Sequence, residues 1–250
     1  EYSNEQFYGW VTDLNNTCKT SLLTMQEVFD KVEPFLKDGI DVLYLACAGV
    51  LSGSVNVFNM AKDELLKKYP ERKMISYDTC RAGMALGIMA MDASKKQDEG
   101  ASMEDIVKFL DEQKLEYCMT GTVATLTYLK AAGRVSGASA FFGNMIGVKP
   151  IIVADKVGHN FVIGKQIGMK KALSKLFDLA KEHFDQDRNE IYLGQGVAPE
   201  SNAYLKERFE KELGAKVIEY PVGPIIGLSC GPGVIHICFH GAIFDVLEEE

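Results

Sequence analysis

The spacing of apolar positions divides this chain into short β-rich runs and longer amphipathic stretches. Runs of β-branched and aromatic residues predict strands, whereas apolar residues that recur every three to four positions predict helices. In the first half, the predicted elements are a helix near 7–10, a helix capped by Thr24 that runs to Lys37, a strand at 41–47, a helix at 54–69, a strand at 74–77, a helix at 84–97, a helix capped by Ser102, and a strand at 116–119. This alternation is typical of an α/β fold.

The pattern changes near residues 115–120. Two β-rich runs, 148–153 and 161–165, flank a turn at 156–160 and predict a hairpin. The other elements predicted for this half are helices at 138–146, 169–184 and 201–213, strands at 191–193 and 216–219, and an apolar, strand-rich end at 224–239. The change in pattern predicts two domains, residues 1–118 and residues 119–250.

Composition and charge narrow the classes of function. Of the 250 residues, 47% are hydrophobic and 25% are charged, which is typical of a globular protein with a substantial core. The net charge of -8 disfavours a nucleic-acid partner, because such proteins carry a basic surface. No apolar run reaches the ~20 residues of an integral membrane segment. The six cysteines show no metal-ligand spacing, so a reduced, cytoplasmic protein without a metal site is expected.

The loop at Leu51-Ser52-Gly53-Ser54 carries the clearest chemical signal. It lies where the apolar run 42–47 gives way to a predicted helix, so several backbone N–H groups are left without helical partners. A turn of this kind suits an anion, either a phosphate or a carboxylate. It offers hydroxyls and amides but no His, Asp, Glu or Lys that could move a proton, which indicates binding and not catalysis.

The other loops expected at strand ends offer little acid–base chemistry. They are Asp78–Gly83, Gly121–Thr122 and Leu228–Gly233. Their charged residues are Asp78 and Arg81, and an Asp that precedes a helix is usually its N-cap. No GxGxxG or GxxxxGK[ST] motif is present, so no cofactor is expected. Two alternatives stay open: a hydrolase or transferase that uses Cys230, paired with His236, or Asp78, and a regulator that binds a small anion.

Six short motifs are spread along nearly the whole chain. They are Lys19-Thr20-Ser21, Leu51-Ser52-Gly53-Ser54, Tyr77-Asp78-Thr79-Cys80, the run from Tyr128 to Ser136, Val148-Lys149-Pro150-Ile151 and Gly231-Pro232-Gly233. In this order they resemble the DegV family of bacterial fatty-acid-binding proteins. The tandem of Gly133-Arg134-Val135-Ser136 and Val148-Lys149-Pro150-Ile151 is the most specific part of the likeness.

The resemblance implies a fold, a ligand and a partner. Members of the family are two-domain α/β proteins, with an N-terminal parallel-sheet domain and a C-terminal α/β domain, and they enclose one long-chain fatty acid (C14–C18) between the domains. Some present its carboxylate to a separate fatty-acid kinase, as part of fatty acid metabolism and phospholipid synthesis. The resemblance therefore implies a lipid-binding protein with no catalysis of its own.

The resemblance also assigns the ligand carboxylate to particular residues. Thr20 falls on the family's threonine that contacts the carboxylate. Ala48 and Gly49 stand where the family has paired serines, so Ser52 is the nearest replacement for the lost hydroxyl. Ser229 stands where the family usually has a His, two residues before Gly-Pro-Gly. Carboxylate contacts are therefore expected from Thr20, Gly49, Ser52 and Ser229.

Two further expectations follow from the resemblance. Arg134 falls on an exposed arginine that the family associates with docking or phosphotransfer to the kinase. The family also begins with a strand that carries Asp-Ser-Thr, ahead of the region matched by residues 1–10. Because the chain starts at Glu1 and not at a Met, upstream residues are expected to have been left out, and the first sheet is expected to lack that strand.

Overall fold

The computed structural model describes residues 2–13, 15–16, 18–136 and 147–244. The chain divides into two compact units: Ser21–Lys114, called the small unit, and residues 1–20 with 115–250, called the large unit. The predicted domains, 1–118 and 119–250, assign residues 1–20 to the first domain, whereas in the structure they group with the second half of the chain. Tyr8 is one reason, because its hydroxyl donates to the carbonyl oxygen of Val222 at 2.9 Å.

Helices and strands alternate along the described residues. The helices are α1 (Asn4–Thr12), α2 (Met25–Lys37), α3 (Ser54–Lys68), α4 (Gly83–Asp98), α5 (Met103–Gln113), α6 (Leu126–Ala132), α7 (Met169–His183), α8 (Pro199–Leu213) and α9 (Pro224–Cys230). The strands are β1 (Val42–Ala46), β2 (Met74–Asp78), β3 (Tyr117–Thr122), β4 (Val135–Ser136), β5 (Val148–Ala154), β6 (Asn160–Ile167), β7 (Glu190–Gly196), β8 (Lys216–Pro221) and β9 (Val234–His240). The predicted α/β class is confirmed, as are the helices predicted at 24–37, 54–69, 84–97, 169–184 and 201–213.

In the small unit, β1 and β2 pair in parallel, from Val42↔Met74 to Ala46↔Asp78. The predicted cap of α2 is confirmed, because Thr24 and Glu27 form a reciprocal capping box. Buried apolar residues of α2, α3 and β2 form the core of this unit: Val28, Leu36, Phe58, Ala61, Leu65 and Met74. Since both strands run in the same direction, their carboxyl ends meet at one edge, where the two following loops lie side by side.

In the large unit, the strands form one mixed sheet in the order β4-β6-β5-β3-β9-β7-β8. β5 and β6 pair antiparallel from Val148↔Ile167 to Ala154↔Asn160, which confirms the predicted hairpin. The core packs α7 and α8 against the sheet and includes Leu173, Leu176, Phe177, Leu205, Phe209, Ile235, Ile237 and Phe239. Ile235, Ile237 and Phe239 of β9 face this core. Because side chains alternate along a strand, His236 and Cys238 lie on the other face of the sheet, away from α7 and α8.

Three expectations differ from the structure. Gly121–Thr122, predicted as a loop, lies inside β3, where Gly121 pairs with Ile152 and His236. Residues 224–230, predicted to be strand-rich, form α9. A proline in the first turn starts a helix well, and a short apolar run does not distinguish helix from strand. Helix α6 was not predicted, and the helix predicted at 138–146 lies outside the described residues.

Candidate functional site

The loop after β1 leads directly into α3 and carries two hydroxyls. The Oγ atoms of Ser52 and Ser54 lie 2.9 Å apart, and Ser52 Oγ also accepts from the N–H of Ser54 at 3.3 Å. Gly53 is the N-cap of α3 and supplies no side chain to satisfy the first N–H groups. The hydroxyl pair therefore lies at the positive end of a 15-residue helix, where the helix dipole favours an anion.

The carboxylate of Asp78 already occupies part of this turn. The N–H of Gly49 donates to both carboxylate oxygens, at 3.2 Å and 3.1 Å, and the N–H of Cys80 donates to Oδ1 at 2.9 Å. Gly49 was predicted to contact a ligand carboxylate, and in this structure its amide is bonded to a carboxylate of the protein itself. Among the predicted contacts of this loop, Ser52 is the one that keeps a hydroxyl for a ligand.

Close packing explains why residue 49 is a glycine. A β-carbon at Gly49 would lie 2.6 Å from Oδ2 of Asp78, which is too close for any side chain. The expectation that Asp78 caps the next helix is wrong, because α4 begins after Ala82, which makes no side-chain cap. The sequence does not reveal this contact, since Gly49 and Asp78 are 29 positions apart and meet only when β1 and β2 pair.

The loop after β2 is bonded tightly to the loop after β1. The hydroxyl of Thr79 donates to the carbonyl oxygen of Ala46 at 2.7 Å, and the N–H of Ala48 donates to the carbonyl oxygen of Arg81 at 2.9 Å. Arg81 is only 1% exposed, and its Nη1 donates to the carbonyl oxygen of Cys80 at 2.7 Å. Asp78 is therefore bonded to the loop after β1 through its carboxylate, and Arg81 through its backbone carbonyl oxygen.

Ser229 lies in the last turn of α9, ahead of a tight glycine turn. Gly231 and Gly233 both have positive φ, 74° and 84°. The ring of Tyr128 occupies the space that a β-carbon at Gly231 would need, and a β-carbon at Gly233 would lie 2.5 Å from Cβ of Ala124. Both glycines are thus required by backbone conformation and by close packing. The turn predicted at Gly231-Pro232-Gly233 is confirmed, with Ser229 in a helix and not in a loop.

Cys230 and His236 do not have the properties of a nucleophile and its base. Burial raises the pKa of the Cys230 thiol to about 12, so the thiol is protonated at neutral pH. Burial lowers the pKa of His236 to about 4, and its Nδ1 is bonded to the hydroxyl of Tyr220 at 2.6 Å. Because the thiolate is the reactive form of cysteine, these two environments argue against the enzyme alternative that uses Cys230.

Thr20 and Arg134, predicted to contact the ligand and the partner, are both exposed. Arg134 follows Gly133, the left-handed C-cap of α6, and its Nη1 donates to the carbonyl oxygen of Ala132 at 2.5 Å. Of the predicted ligand contacts, Gly49 and Ser52 lie in one loop of the small unit, whereas Thr20 and Ser229 lie in the large unit.

Two other kinds of feature were looked for among the described residues: a metal site and a membrane-spanning helix. Among them, no group of three or more His, Cys, Asp or Glu residues could hold a metal ion. No helix in the described parts of the chain is both long and apolar enough to cross a bilayer.

Known proteins resemble this chain over nearly all of its length. Residues 1–241 match the family model described as "Uncharacterised protein, DegV family". A DegV domain-containing protein of Clostridium perfringens is 31% identical over 248 residues, which cover 96% of this chain and 83% of that protein. A fatty-acid-binding DegV family protein from Streptococcus agalactiae is 23% identical with a TM-score of 0.83, over 96% of this chain and 84% of that one.

A second solved structure reports fatty acid binding by a DegV family protein from Thermus thermophilus. It is 25% identical to this chain with a TM-score of 0.82, over 96% of this chain and 85% of that one. The two solved structures share the α/β fold described above.

Proposed function

Since the chain belongs to the DegV family, we propose that it binds a long-chain fatty acid, C14–C18, and does not catalyse a reaction on it. One observation carries the proposal: fatty acid binding is reported for the Thermus thermophilus protein, whose fold matches this chain with a TM-score of 0.82. The loops at the strand ends support it, because they offer hydroxyls and amides that bind a carboxylate without exchanging protons.

The ligand carboxylate is held by hydroxyl groups. In the small unit the proposed donor is Ser52, and Ser54 joins it because its hydroxyl lies 2.9 Å from that of Ser52. Thr20 and Ser229 stay the donors that the family resemblance implies. Gly49 contributes in a different way, by binding Asp78 and so fixing the loop that carries Ser52. Hydrogen bonds to an ionised carboxylate are roughly twice as strong as bonds between neutral groups, so a few hydroxyls are enough.

The acyl chain supplies most of the binding energy. Each buried methylene contributes ~0.8 kcal/mol, so palmitate, with eight more methylenes than octanoate, gains up to about 6 kcal/mol if its whole chain is buried. A regulator that binds only a small anion gains nothing from the longer chain. Chain length therefore separates the proposed function from that alternative.

We expect palmitate to bind at least about 1,000-fold more tightly than octanoate. Displacement of a fluorescent fatty acid from the purified protein measures both affinities, with hexadecane as a control for non-specific partition. Equal affinity for the two acids, or for acetate, would contradict the proposal and favour the small-anion alternative.

The protein presents the bound carboxylate to a partner kinase of the fatty-acid kinase type, and Arg134 is the proposed docking residue. The side chain is exposed, and within the described residues its Nη1 is bonded only to a backbone carbonyl oxygen, so the guanidinium is accessible to a phosphate or a carboxylate on a partner. The protonated thiol of Cys230 supports a division of labour in which this chain binds and the partner catalyses.

Replacement of Arg134 tests the docking role. We expect R134A to bind palmitate as the wild type does but to lower phosphorylation of the bound acid by an added fatty-acid kinase at least tenfold, because a charge-assisted contact is lost. K170A, which removes another exposed cation of the large unit, is the matched control. Equal phosphorylation with R134A and the wild type would refute the docking role and leave the lipid-binding proposal intact.

A further inference from the structure

The charges of the large unit are unevenly distributed between the two edges of its sheet. Residues 126–167, which include α6, β4, β5 and β6, contain five Lys or Arg residues and one acidic residue. The five cations are Lys130, Arg134, Lys149, Lys156 and Lys165. Residues 190–221, which include β7, α8 and β8 at the other edge, contain six Glu and four Lys or Arg residues. In a chain of net charge -8, the edge at β4 and β6 is therefore basic.

The one acidic residue of this basic part, Asp155, is bonded within a turn. It is buried, and its Oδ1 accepts from the N–H groups of Val157, Gly158 and His159 at 3.0, 2.7 and 2.8 Å. Lys156 and Val157 of the same turn are exposed. The turn between β5 and β6 therefore presents a cation and an apolar side chain, while its carboxylate is bonded to backbone N–H groups.

Along β6, apolar and basic side chains alternate on the surface. Ile163 is 43% exposed and Ile167 is 58% exposed, and Lys165 between them is exposed as well. Gly164 pairs with Ile151, which belongs to the core under α7, so Lys165 and Ile167 lie on the other face of the sheet. At the usual rise of a strand the two isoleucines are about 13 Å apart. The β6 surface is defined here as Lys156, Val157, Ile163, Lys165 and Ile167.

The outer edge of β6 has two features that disfavour a further strand. β4 pairs with Asn160 and Phe161, and beyond them β6 has no strand partner on this side in the parts of the chain that the structure describes. The pairing of β5 with β6 shifts at Ile163, which has no partner residue in β5. Such a bulge bends the strand, and a lysine on an edge strand opposes pairing with another chain. Strand pairing with a second copy therefore does not explain the exposed isoleucines.

We propose that the β6 surface docks this protein on a lipid bilayer that contains anionic phospholipid. Aliphatic side chains flanked by lysines are typical of protein surfaces that lie at a membrane interface. Anionic headgroups attract each lysine, and the isoleucines gain by leaving water. An acidic protein surface is the less favoured partner, because the centres of protein–protein interfaces are enriched in aromatic residues and Arg and depleted in Lys.

Sedimentation with vesicles tests the inference, and it needs no added fatty acid, so its outcome is independent of the proposed function. We expect the wild type to bind vesicles of phosphatidylglycerol mixed with phosphatidylcholine, to bind pure phosphatidylcholine at least about tenfold more weakly, and to dissociate as salt is raised. K156E/K165E should lower the affinity for the mixed vesicles at least about tenfold. I163T/I167T, which keeps β-branched side chains, should lower it at least about threefold.

Two double variants outside the β6 surface are the matched controls. K31E/K175E changes the net charge equally at exposed lysines of α2 and α7, and I40T/I225T replaces two other exposed isoleucines. Both should bind the mixed vesicles as the wild type does. Absence of binding by the wild type, equal binding to both kinds of vesicle, or equal losses in the controls would overturn the inference. A dimer that forms without vesicles and is lost in I163T/I167T would also overturn it, in favour of a second copy on this surface.

Discussion

At the scale of single residues, the loops after β1 and β2 are organised around one carboxylate. The carboxylate of Asp78 accepts hydrogen bonds from the backbone N–H groups of Gly49 and Cys80. In this turn the bound anion is therefore a side chain of the protein itself. The glycine at 49 is needed because Oδ2 of Asp78 occupies the space of its side chain. The proposed ligand-binding hydroxyl of Ser52 therefore depends on a contact that itself involves no ligand.

G49A should destabilise the small unit by about 1–3 kcal/mol. The new methyl group would lie 2.6 Å from Oδ2 of Asp78, so the carboxylate must move and lose its backbone donors. Urea unfolding followed by circular dichroism measures the change. G87A is the matched control, because in that helix the added methyl group meets only the flexible sulfur of Met84. Equal unfolding midpoints for G49A and G87A would contradict this account of Asp78.

At the scale of elements, a side-chain hydrogen bond joins β8 to β9 across the strand between them, β7. Tyr220 and His236 both pair with Gly194, which lies between them. The ring of Tyr220 covers Gly194 and reaches His236, where the hydroxyl and Nδ1 are 2.6 Å apart. The glycine makes this bond between non-adjacent strands feasible, since a β-carbon at 194 would occupy the position of the ring.

Burial of His236 makes stability depend on pH. The pKa of His236 is about 4 in the folded protein against an ordinary value of 6.5. Between pH 4 and pH 6.5 this imidazole is therefore mostly protonated in the unfolded chain and mostly neutral in the folded protein. Stability is therefore complete above pH 6.5 and falls as the pH drops towards 4, by up to about 3 kcal/mol. H236Q should lose less stability over this range. Urea unfolding at pH 7 and pH 5 measures the change in the free energy of unfolding, with H183Q as the control. Equal decreases for H236Q and the wild type would contradict this role of His236.

Local sequence patterns predict most helices and strands, but they do not predict contacts between residues that are far apart in the chain. The capping box at Thr24 and the hairpin of β5 and β6 follow from neighbouring residues and are confirmed. The contacts of Asp78 with Gly49 and of Lys149 with Ala124 join residues 29 and 25 positions apart, so no local signal marks them. Residues 224–230 were predicted wrongly for a local reason: their short apolar pattern fits both a helix and a strand, and they form α9.

At the scale of the whole molecule, short motifs in a fixed order predict more than any single residue does. They identify the family, which the match over residues 1–241 confirms. They also imply the α/β fold, which the structure confirms. The contacts at Thr20, Gly49, Ser52 and Ser229 stay predictions, and so does the kinase partner. Neither can be deduced from the fold, because one fold supports many ligands and the ligand is chosen by a few side chains.

Native mass spectrometry of the protein purified from a bacterial host tests the central claim most directly. We expect a stoichiometric adduct that denaturing extraction releases as a fatty acid of C14–C18, because the buried acyl chain makes dissociation slow. A protein that carries no acid, and that remains without one after incubation with palmitate or oleate, would contradict the account and leave the family relationship as evidence for the fold alone.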